Sequence, residues 1–437
     1  MEKNSYYIET YGCTSNKADS LIISSVLNKS GYSQTNLEDA EFVFINTCAV
    51  KQQTENKIKT RLKELYVMYR EEETKYFVIA GCLPHIEDNY IDVISKIIPN
   101  FSAIIDLDNL DEIPDILKAV KSGKKNLVIE SKVVIDKSEY LIDYPKSKIT
   151  GIVPISSGCL GSCTYCCVKN ARGHLHCYEP HSIVKNVEHQ LKQGIKQIYL
   201  TSQDCSTYEY DSVKLVELIS KIVELNYEFF LRVGMLNPKF LVDNFEQLLS
   251  IFKFKKVYHF LHIPIQSGSD SVLKRMNRYY RISDISEKLK ILRKEFPLLT
   301  ISTDIICGFP GESESDFNQT LDVINWLKPE ILNVSKFTPR PGTEAKTMKQ
   351  VDSTIIKKRS TILSNAFRES LDNINATWEN WEGVVLVLHE GLKANQAFGR
   401  NLAYKNIFIE NFTGTYGTFV NVRINEVKGF NLFADLI

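Results

Sequence analysis

The residues best able to do chemistry in this chain are cysteines, ten in all, and six of them fall into two sets of three. Cys13, Cys48 and Cys82 each close an apolar, strand-like run, YYIETYGC, FVFINTC and YFVIAGC, one strand–helix period apart. In an open parallel sheet the carboxyl ends of the strands share one edge, where ligands bind, so three thiols distant in sequence are expected to meet there. Three thiolates around a four-iron–four-sulfur cluster leave one iron open to an exogenous ligand. Any one of these cysteines is more simply a small buried hydrophobe. Their shared position after a strand favours ligation, and it favours a cluster over structural zinc, which takes four closed ligands and closely paired cysteines.

The second set is compact: Cys159-x3-Cys163-x2-Cys166, in SSGCLGSCTYCCVKNARG. One loop can wrap three corners of a cubane, leaving the fourth iron to chelate the amino and carboxylate groups of S-adenosylmethionine (SAM). An electron passed to the sulfonium then breaks a carbon–sulfur bond and yields a 5′-deoxyadenosyl radical, with the protein supplying position and a dry site. Tyr165 is a candidate to stack on the adenine, with loop packing as the plainer role. Further polar candidates end downstream strands, in LTSQD, RVGMLNP, HIPIQSGSD and STDIICGFPGE. Asp204 and Arg232 could hold the amino and carboxylate ends of SAM, Arg232 in a bidentate contact. Gln266 could meet the ribose, and Gly308 and Gly311 could let backbone approach the adenine. Each has an ordinary alternative as a surface ion pair or a turn. Cys167, Cys177, Cys205 and Cys307 read as ordinary thiols.

These groups need elements to position them. Apolar runs Tyr6–Ile8, Phe42–Ile45 and Phe77–Ala80 read as buried parallel strands, with helical spacing over Asp19–Leu27 and Thr54–Met68. Strand–helix alternation predicts a parallel α/β sheet. A polar stretch from Ser131 to Thr150 suits a linker. Six more strand candidates follow, at Ile152–Ile155, Gln197–Thr201, Phe229–Val233, Tyr258–Ile263, Thr300–Ile306 and Leu332–Phe337, each but the last trailed by a helical pattern. Six such units are too few for a closed eightfold barrel and suit an open, partial one. A helix is expected over Ile355–Ile374. From Trp381 the pattern changes to short β-type runs, Val384–Leu388, Ile407–Ile409 and Thr418–Ile424, with Gly-containing turns, as in a small barrel.

Length and composition bound the rest. A chain of 437 residues, 43% hydrophobic and 24% charged, is expected to fold into more than one globular domain. Lys+Arg and Asp+Glu both number 53, so any basic surface for an acidic partner must be local. The modest run Lys336, Arg340, Lys357, Lys358 and Arg359 is one candidate for meeting phosphate, a solvated helix face being the default. The start MEKNSYYIETYGC has no secretory apolar core and no run reaches membrane-spanning length, so the expectation is a cytoplasmic protein without a membrane. In that reducing setting, clustered cysteines point to metal or catalysis.

With the strings GCLGSCTYC followed by ARG, LTSQD, LRVGMLNP, FLHIPIQSGSDSVLKRM, TDIICGFPGE and PRPGT, these residues resemble the radical SAM methylthiotransferase family over almost the whole chain. The strings are most similar to its archaeal and eukaryotic branch, which acts on threonylcarbamoyladenosine in tRNA. The resemblance implies an α/β protein: an N-terminal open parallel-sheet methylthiotransferase domain over 1–130, a radical SAM partial (β/α)6 barrel over 145–375, and a small C-terminal all-β TRAM barrel over 380–437. It implies SAM and two 4Fe–4S clusters, on Cys13, Cys48 and Cys82 and on Cys159, Cys163 and Cys166. It implies addition of a methylthio group to carbon 2 of the adenosine at position 37, beside the anticodon. One SAM would methylate a cluster-held sulfur, and a second would generate the radical that takes the hydrogen. The implied partners are tRNA, an electron donor such as flavodoxin or ferredoxin, and a sulfur donor. Other targets stay open, namely isopentenyladenosine in tRNA or an aspartate of a ribosomal protein, as does a non-catalytic iron–sulfur protein. The segment from Trp381 departs from a strongly basic RNA-binding barrel, because Lys393, Arg400, Lys405, Arg423 and Lys428 face an equal number of acids. Its aromatics Phe398, Tyr404 and Phe408 could stack on bases, with filling the core as the weightier expectation.

Overall fold

In a computed structural model, residues 4–131 and 133–437 are described. The first three residues of the N-terminal segment and Lys132 of the expected linker lie outside them. The chain forms two compact units. One is made of residues up to 143 with 152–186 and 338–346, and the other of 144–151, 187–337 and 347–437.

The first unit is built on six parallel strands: β1 (Ser5–Thr10), β2 (Ser33–Gln34), β3 (Phe42–Thr47), β4 (Tyr76–Gly81), β5 (Ala103–Ile105) and β6 (Leu127–Ile129). Their order is β2-β1-β3-β4-β5-β6, so the direction of winding reverses between β1 and β3. Every residue of β3 is buried, as a central strand covered on both faces requires. Helices α1 (Thr14–Lys29) and α2 (Gln52–Tyr69) follow β1 and β3. Ile22, Ile23 and Leu27 of α1 and Ile58, Leu62 and Leu65 of α2 are buried completely.

The polar stretch read as a linker is partly structural. Lys137 and Ser138 are buried, Lys137 Nζ lies 3.3 Å from Asp19 Oδ1, and Ser25 Oγ donates to the Leu141 carbonyl at 3.0 Å. Polarity looks like solvent exposure in a sequence, whereas here the ammonium answers a carboxylate buried in α1.

In the second unit, Gln197–Thr201 and Phe230–Arg232 pair in parallel. A parallel bridge between Leu231 and Val257 carries the sheet towards Phe260–His262, Thr300–Cys307 and Ile331–Lys336, which also pair in parallel. Helices Leu215–Val223, Phe245–Lys253, Ile282–Glu295 and Glu314–Leu327 lie between these strands in sequence. Thr150 and Gly151, the start of strand Thr150–Pro154, precede them, and Gln197 Nε2 donates to Thr150 Oγ1 at 2.8 Å. This is the open partial barrel the pattern predicts.

Helix Ser353–Ala376 leads to five strands, Glu382–Glu390, Ala397–Asn401, Asn406–Ile409, Phe419–Lys428 and Asn431–Leu436, which close into a barrel. Its core is mainly aliphatic, with Val385, Val387, Ile407, Ile409, Ile424 and Leu432 fully buried and Trp378 and Phe412 packed with them. Phe408 is buried and Phe398 stacks on His389 with ring centroids 4.8 Å apart. Tyr404 leaves the small barrel for the partial one: its hydroxyl lies 2.6 Å from that of Tyr199 and its ring 4.6 Å from Phe260.

Candidate active site

The three strands that end at cysteines lie side by side as β1, β3 and β4, so their carboxyl ends share one edge at the point where winding reverses, the place where open sheets bind ligands. Glycines bring the thiols in. Gly12 and Gly81 hold φ of +119° and +96°, and a Cβ on Gly81 would stand 2.3 Å from the Thr47 carbonyl. A Cβ on Gly12 would meet the Cys48 sulfur at 3.0 Å, so the turn into Cys13 passes directly against Cys48. Below them, Asn16 Nδ2 donates to Asn46 Oδ1 and to the Thr47 carbonyl, and Cys13 Sγ donates to Asn16 Oδ1 at 3.3 Å. Cys48 and Cys82 are buried and Cys13 is exposed, an arrangement open on one side. Burial pushes the Cys48 thiol up to about 11, and the neighbouring Cys82 and Cys13 add to the rise. Binding an electrophilic metal group would reverse that cost, since metal ligation deprotonates thiols outright.

The second set is held by a loop with the same device. Gly158 has φ of +73°, and a Cβ there would strike the His174 carbonyl at 2.0 Å. Gly161 N–H donates to Cys159 Sγ at 3.2 Å, and a Cβ on Gly161 would stand 3.2 Å from that sulfur and 3.8 Å from Cys163 Sγ. Burial pushes the Cys166 thiol up to about 12, with Cys163, Cys167 and Cys159 contributing. A cavity of about 210 Å³ opens against Cys159, Cys163 and Cys166, walled opposite by Gly342 and Thr343. Among the described residues no three Cys, His, Asp or Glu side chains draw together as the ligands of one metal ion. Two sets of three cysteines, one on an open edge and one on a cavity, fit polynuclear clusters with an open iron.

Cys167 turns away from its neighbour: its Sγ donates to the Ala49 carbonyl at 3.3 Å. Cys205 and Cys307 are buried and Cys177 sits in a two-residue strand.

The SAM-contact candidates are placed unevenly. Tyr165 is half-buried between Cys163 and Cys166. Asp204 is buried, and its carboxylate accepts from Ser206 N–H at 3.0 Å and Asn237 N–H at 3.3 Å, tying its own loop. Arg232 lies across from Tyr199 on the paired strand, with its guanidinium 5.0 Å from that ring, 4.7 Å from Phe260 and 5.3 Å from Tyr404. Gln266 takes a left-handed backbone, φ +69°, while its N–H and carbonyl bond to Asp304 and Ile306. A Cβ on Gly308 would stand 2.3 Å from Ile356, and Gly311 accepts from Arg275 Nη2 at 3.1 Å. One level further along the strands, His262 Nε2 lies 2.8 Å from Asp304 Oδ2, and Asn333 Nδ2 donates to Asp304 Oδ1 at 2.8 Å.

The two arginines of the basic run are buried in ion pairs. Arg359 is buried against Glu312 at 2.8 Å and Glu314 at 2.9 Å, and Arg340 is buried against Glu55 at 2.7 Å. Only Lys336, Lys357 and Lys358 of that run are exposed. Arginines in closed ion pairs hold the fold and are not free for phosphate.

Sequence reasoning passed over the charged group beside the first thiols. Arg172 donates from Nη2 to Asp19 Oδ2 at 2.7 Å and from Nε to Cys82 Sγ at 3.1 Å. Burial alone would raise the Asp19 carboxyl, but Arg172 and Lys137 hold it below the usual carboxylate range. The signal was the ARG string after the second cysteine set and the acidic residue six positions beyond Cys13.

Comparison with known proteins matches residues 153–324 to the radical SAM superfamily and residues 5–104 to the Uncharacterized protein family UPF0004. The chain is 36% identical over 438 residues to the probable threonylcarbamoyladenosine tRNA methylthiotransferase of Pyrococcus horikoshii, with 99% of each covered. It is 36% identical to that of Methanocaldococcus jannaschii, covering 99% of this chain and 96% of the relative. The human threonylcarbamoyladenosine tRNA methylthiotransferase is 33% identical, with 96% of this chain and 72% of the human one covered. Among solved structures, the radical SAM methyltransferase TsrM of Kitasatospora setae, with tryptophan and a SAM analogue bound, superposes with a TM-score of 0.57 at 13% identity, over 78% of this chain and 74% of that one. That last likeness is one of fold alone.

Proposed function

The chain belongs to the threonylcarbamoyladenosine tRNA methylthiotransferase family, and from that premise we propose how its residues perform the reaction. It is a radical SAM transferase that adds a methylthio group to threonylcarbamoyladenosine in tRNA, at carbon 2 of the adenosine beside the anticodon. Cys13, Cys48 and Cys82 hold one 4Fe–4S cluster, and Cys159, Cys163 and Cys166 hold the other. The observation that carries this reading is that one sheet edge brings the turn into Cys13 against Cys48 with Cys82 as a neighbour, while Cys159, Cys163 and Cys166 line one cavity, all within one compact unit.

SAM and the two clusters supply the methyl group, the sulfur carrier and the one-electron cleavage that an unactivated aromatic C–H bond demands. The protein's part is to position and to exclude water. The glycine turns before Cys13, Cys82 and Cys159 aim the thiols. On this reading Tyr165 would contact the adenine of bound SAM, Arg232, set among Tyr199, Phe260 and Tyr404, would meet its carboxylate, and Gln266 would meet its ribose. Gly308 and Gly311 hold left-handed turns, φ +78° and +76°, in the loop that would lie along the adenine. Asp204 acts less directly, fixing the loop from which a polar contact to the amino group comes.

Residues 1–130 serve as the methylthiotransferase domain, 145–375 as the radical SAM domain and 380–437 as the TRAM domain. A flavodoxin- or ferredoxin-type donor supplies electrons, a separate donor supplies sulfur, and the setting is the cytoplasm. Among the described residues no helix is long and apolar enough to cross a membrane.

The test is an anaerobic assay with reconstituted clusters, SAM, a reductant and tRNA carrying threonylcarbamoyladenosine, read by mass spectrometry of the digested nucleosides. The expected outcome is a methylthio gain on that nucleoside, lost in both Cys13→Ala and Cys163→Ala. Cleavage of SAM with no change in any nucleoside mass would leave the radical site standing and refute the substrate.

A further inference from the structure

Arg172 is a full positive charge with only 6% of its side chain exposed. It ends the short helix Val168–Arg172, which directly follows the loop of the second cysteine set. Its guanidinium nevertheless reaches the first set: Nε donates to Cys82 Sγ at 3.1 Å, and Nη2 donates to Asp19 Oδ2 at 2.7 Å. Asp19 is in turn 3.3 Å from Lys137 Nζ, and Lys137 is 3.5 Å from Asp108. A guanidinium cannot lose its proton in a protein, and its planar fork fixes where the charge sits. The group is therefore a permanent cation aimed at one particular sulfur and held there by a buried carboxylate.

We propose that Arg172 is a positioning residue that sets the reduction potential of the cluster held by Cys13, Cys48 and Cys82, through its hydrogen bond to the Cys82 sulfur, with Asp19 as its counter-charge. The proposal rests on the reading of those three cysteines as cluster ligands. Hydrogen bonds to ligand sulfurs and nearby charge are the levers that tune iron–sulfur potentials. A donor and a cation at the sulfur favour the reduced cluster, which carries one more negative charge, and so raise the potential. The Asp19 carboxylate opposes this in part. Lys137, by compensating Asp19, keeps the carboxylate ionised and the guanidinium in place. A residue carried on the loop of one cluster thereby governs the other.

The experiment uses the full chain with Cys159, Cys163 and Cys166 all replaced by Ala, reconstituted anaerobically, so that only the first cluster assembles. Iron content is measured first, then the midpoint potential by a redox titration followed by electron paramagnetic resonance. Arg172→Gln should lower the reduced-to-oxidised ratio at the parent midpoint about tenfold, a shift of about 59 mV for one electron. Asp19→Asn should move it the opposite way, and Arg172→Lys should recover part of the loss. Should Arg172→Gln fail to hold iron, Asp19→Asn alone decides by the sign of its shift. Full iron loading with unmoved midpoints, or shifts of the same sign in Arg172→Gln and Asp19→Asn, would overturn the proposal and leave the ligand reading intact. A parent variant that binds no iron would overturn the ligand reading itself, before any potential is measured.

Discussion

A buried charge without a close opposite charge records its own cost, and Lys405 is such a case. Its ammonium is buried, donates to Asn375 Oδ1 at 3.1 Å and lies 5.6 Å from the Trp378 ring centre. Burial lowers its pKa to about 8, with distant Glu330 and Arg293 as smaller, opposed influences. The unfolded chain, near 10.4, binds more protons than the folded one across that interval. Stability should therefore rise with pH from about 8 to about 10.4, by about 3 kcal/mol at most, and the gain should be lost as pH falls back through 8. Lys405→Met should flatten that rise in denaturant titrations at several pH values and raise the melting temperature at neutral pH. An unchanged pH slope in the variant would remove Lys405 as its source. The contrast with the cysteines shows what a residue discloses on its own. The placement of the six candidate thiols was legible because their positions repeat after a strand or crowd into one loop. Nothing adjacent in sequence tells that Arg172 meets Cys82 or that Arg359 is spent on Glu312 and Glu314. Those facts are set by elements meeting in space.

At the level of elements, strands were readable where both faces are buried and the run is long. Gln197–Thr201 matches the expectation residue for residue, and Thr300–Ile306 falls short by one. The strands passed over are of two kinds. Ala103–Ile105 and Leu127–Ile129 have three residues each, too few to show a period. Ala397–Asn401 and Asn431–Leu436 mix polar residues with the barrel-facing ones, and Gly399 sits where a Cβ would stand 2.6 Å from Val385. A glycine in a strand marks such a close approach and also hides the strand. Glycine turns make a sharper prediction. Gly81 and Gly123 have nearly the same φ, +96° and +97°, yet a Cβ on Gly81 would press on the Thr47 backbone, while one on Gly123 would meet nothing within 4 Å. Gly123→Ala should cost only the backbone strain, of the order of 1 kcal/mol. Gly81→Ala should cost clearly more in chemical denaturation and should lower iron bound after reconstitution, because the turn that delivers Cys82 must move. Equal losses in both variants would place the cost in φ alone.

Over the whole molecule, composition said little and topology much. Equal numbers of acidic and basic residues gave no hint of a nucleic-acid partner, and both arginines of the apparent basic run are held in internal ion pairs. The division of the chain was less legible still, since residues 152–186 and 338–346 fold with the N-terminal sheet although they are remote from it in sequence. One consequence concerns metal removal. All six proposed cluster ligands belong to the first unit, and the partial-barrel helices and closed barrel of the second unit contain none. A ligand stabilises the part of a protein that binds it by its binding free energy, and local opening is read by amide hydrogen exchange. Stripping iron anaerobically should therefore speed exchange in peptides from Thr14–Lys29 and Val168–Arg172. Peptides from Glu382–Glu390 and Phe419–Lys428, whose core is mainly aliphatic and closed on itself, should exchange as before. Exchange that quickened equally in the barrel strands would mean that the clusters support the fold of the entire chain; the packing of the barrel around Val385, Ile407, Ile424 and Leu432 argues that it stands without them.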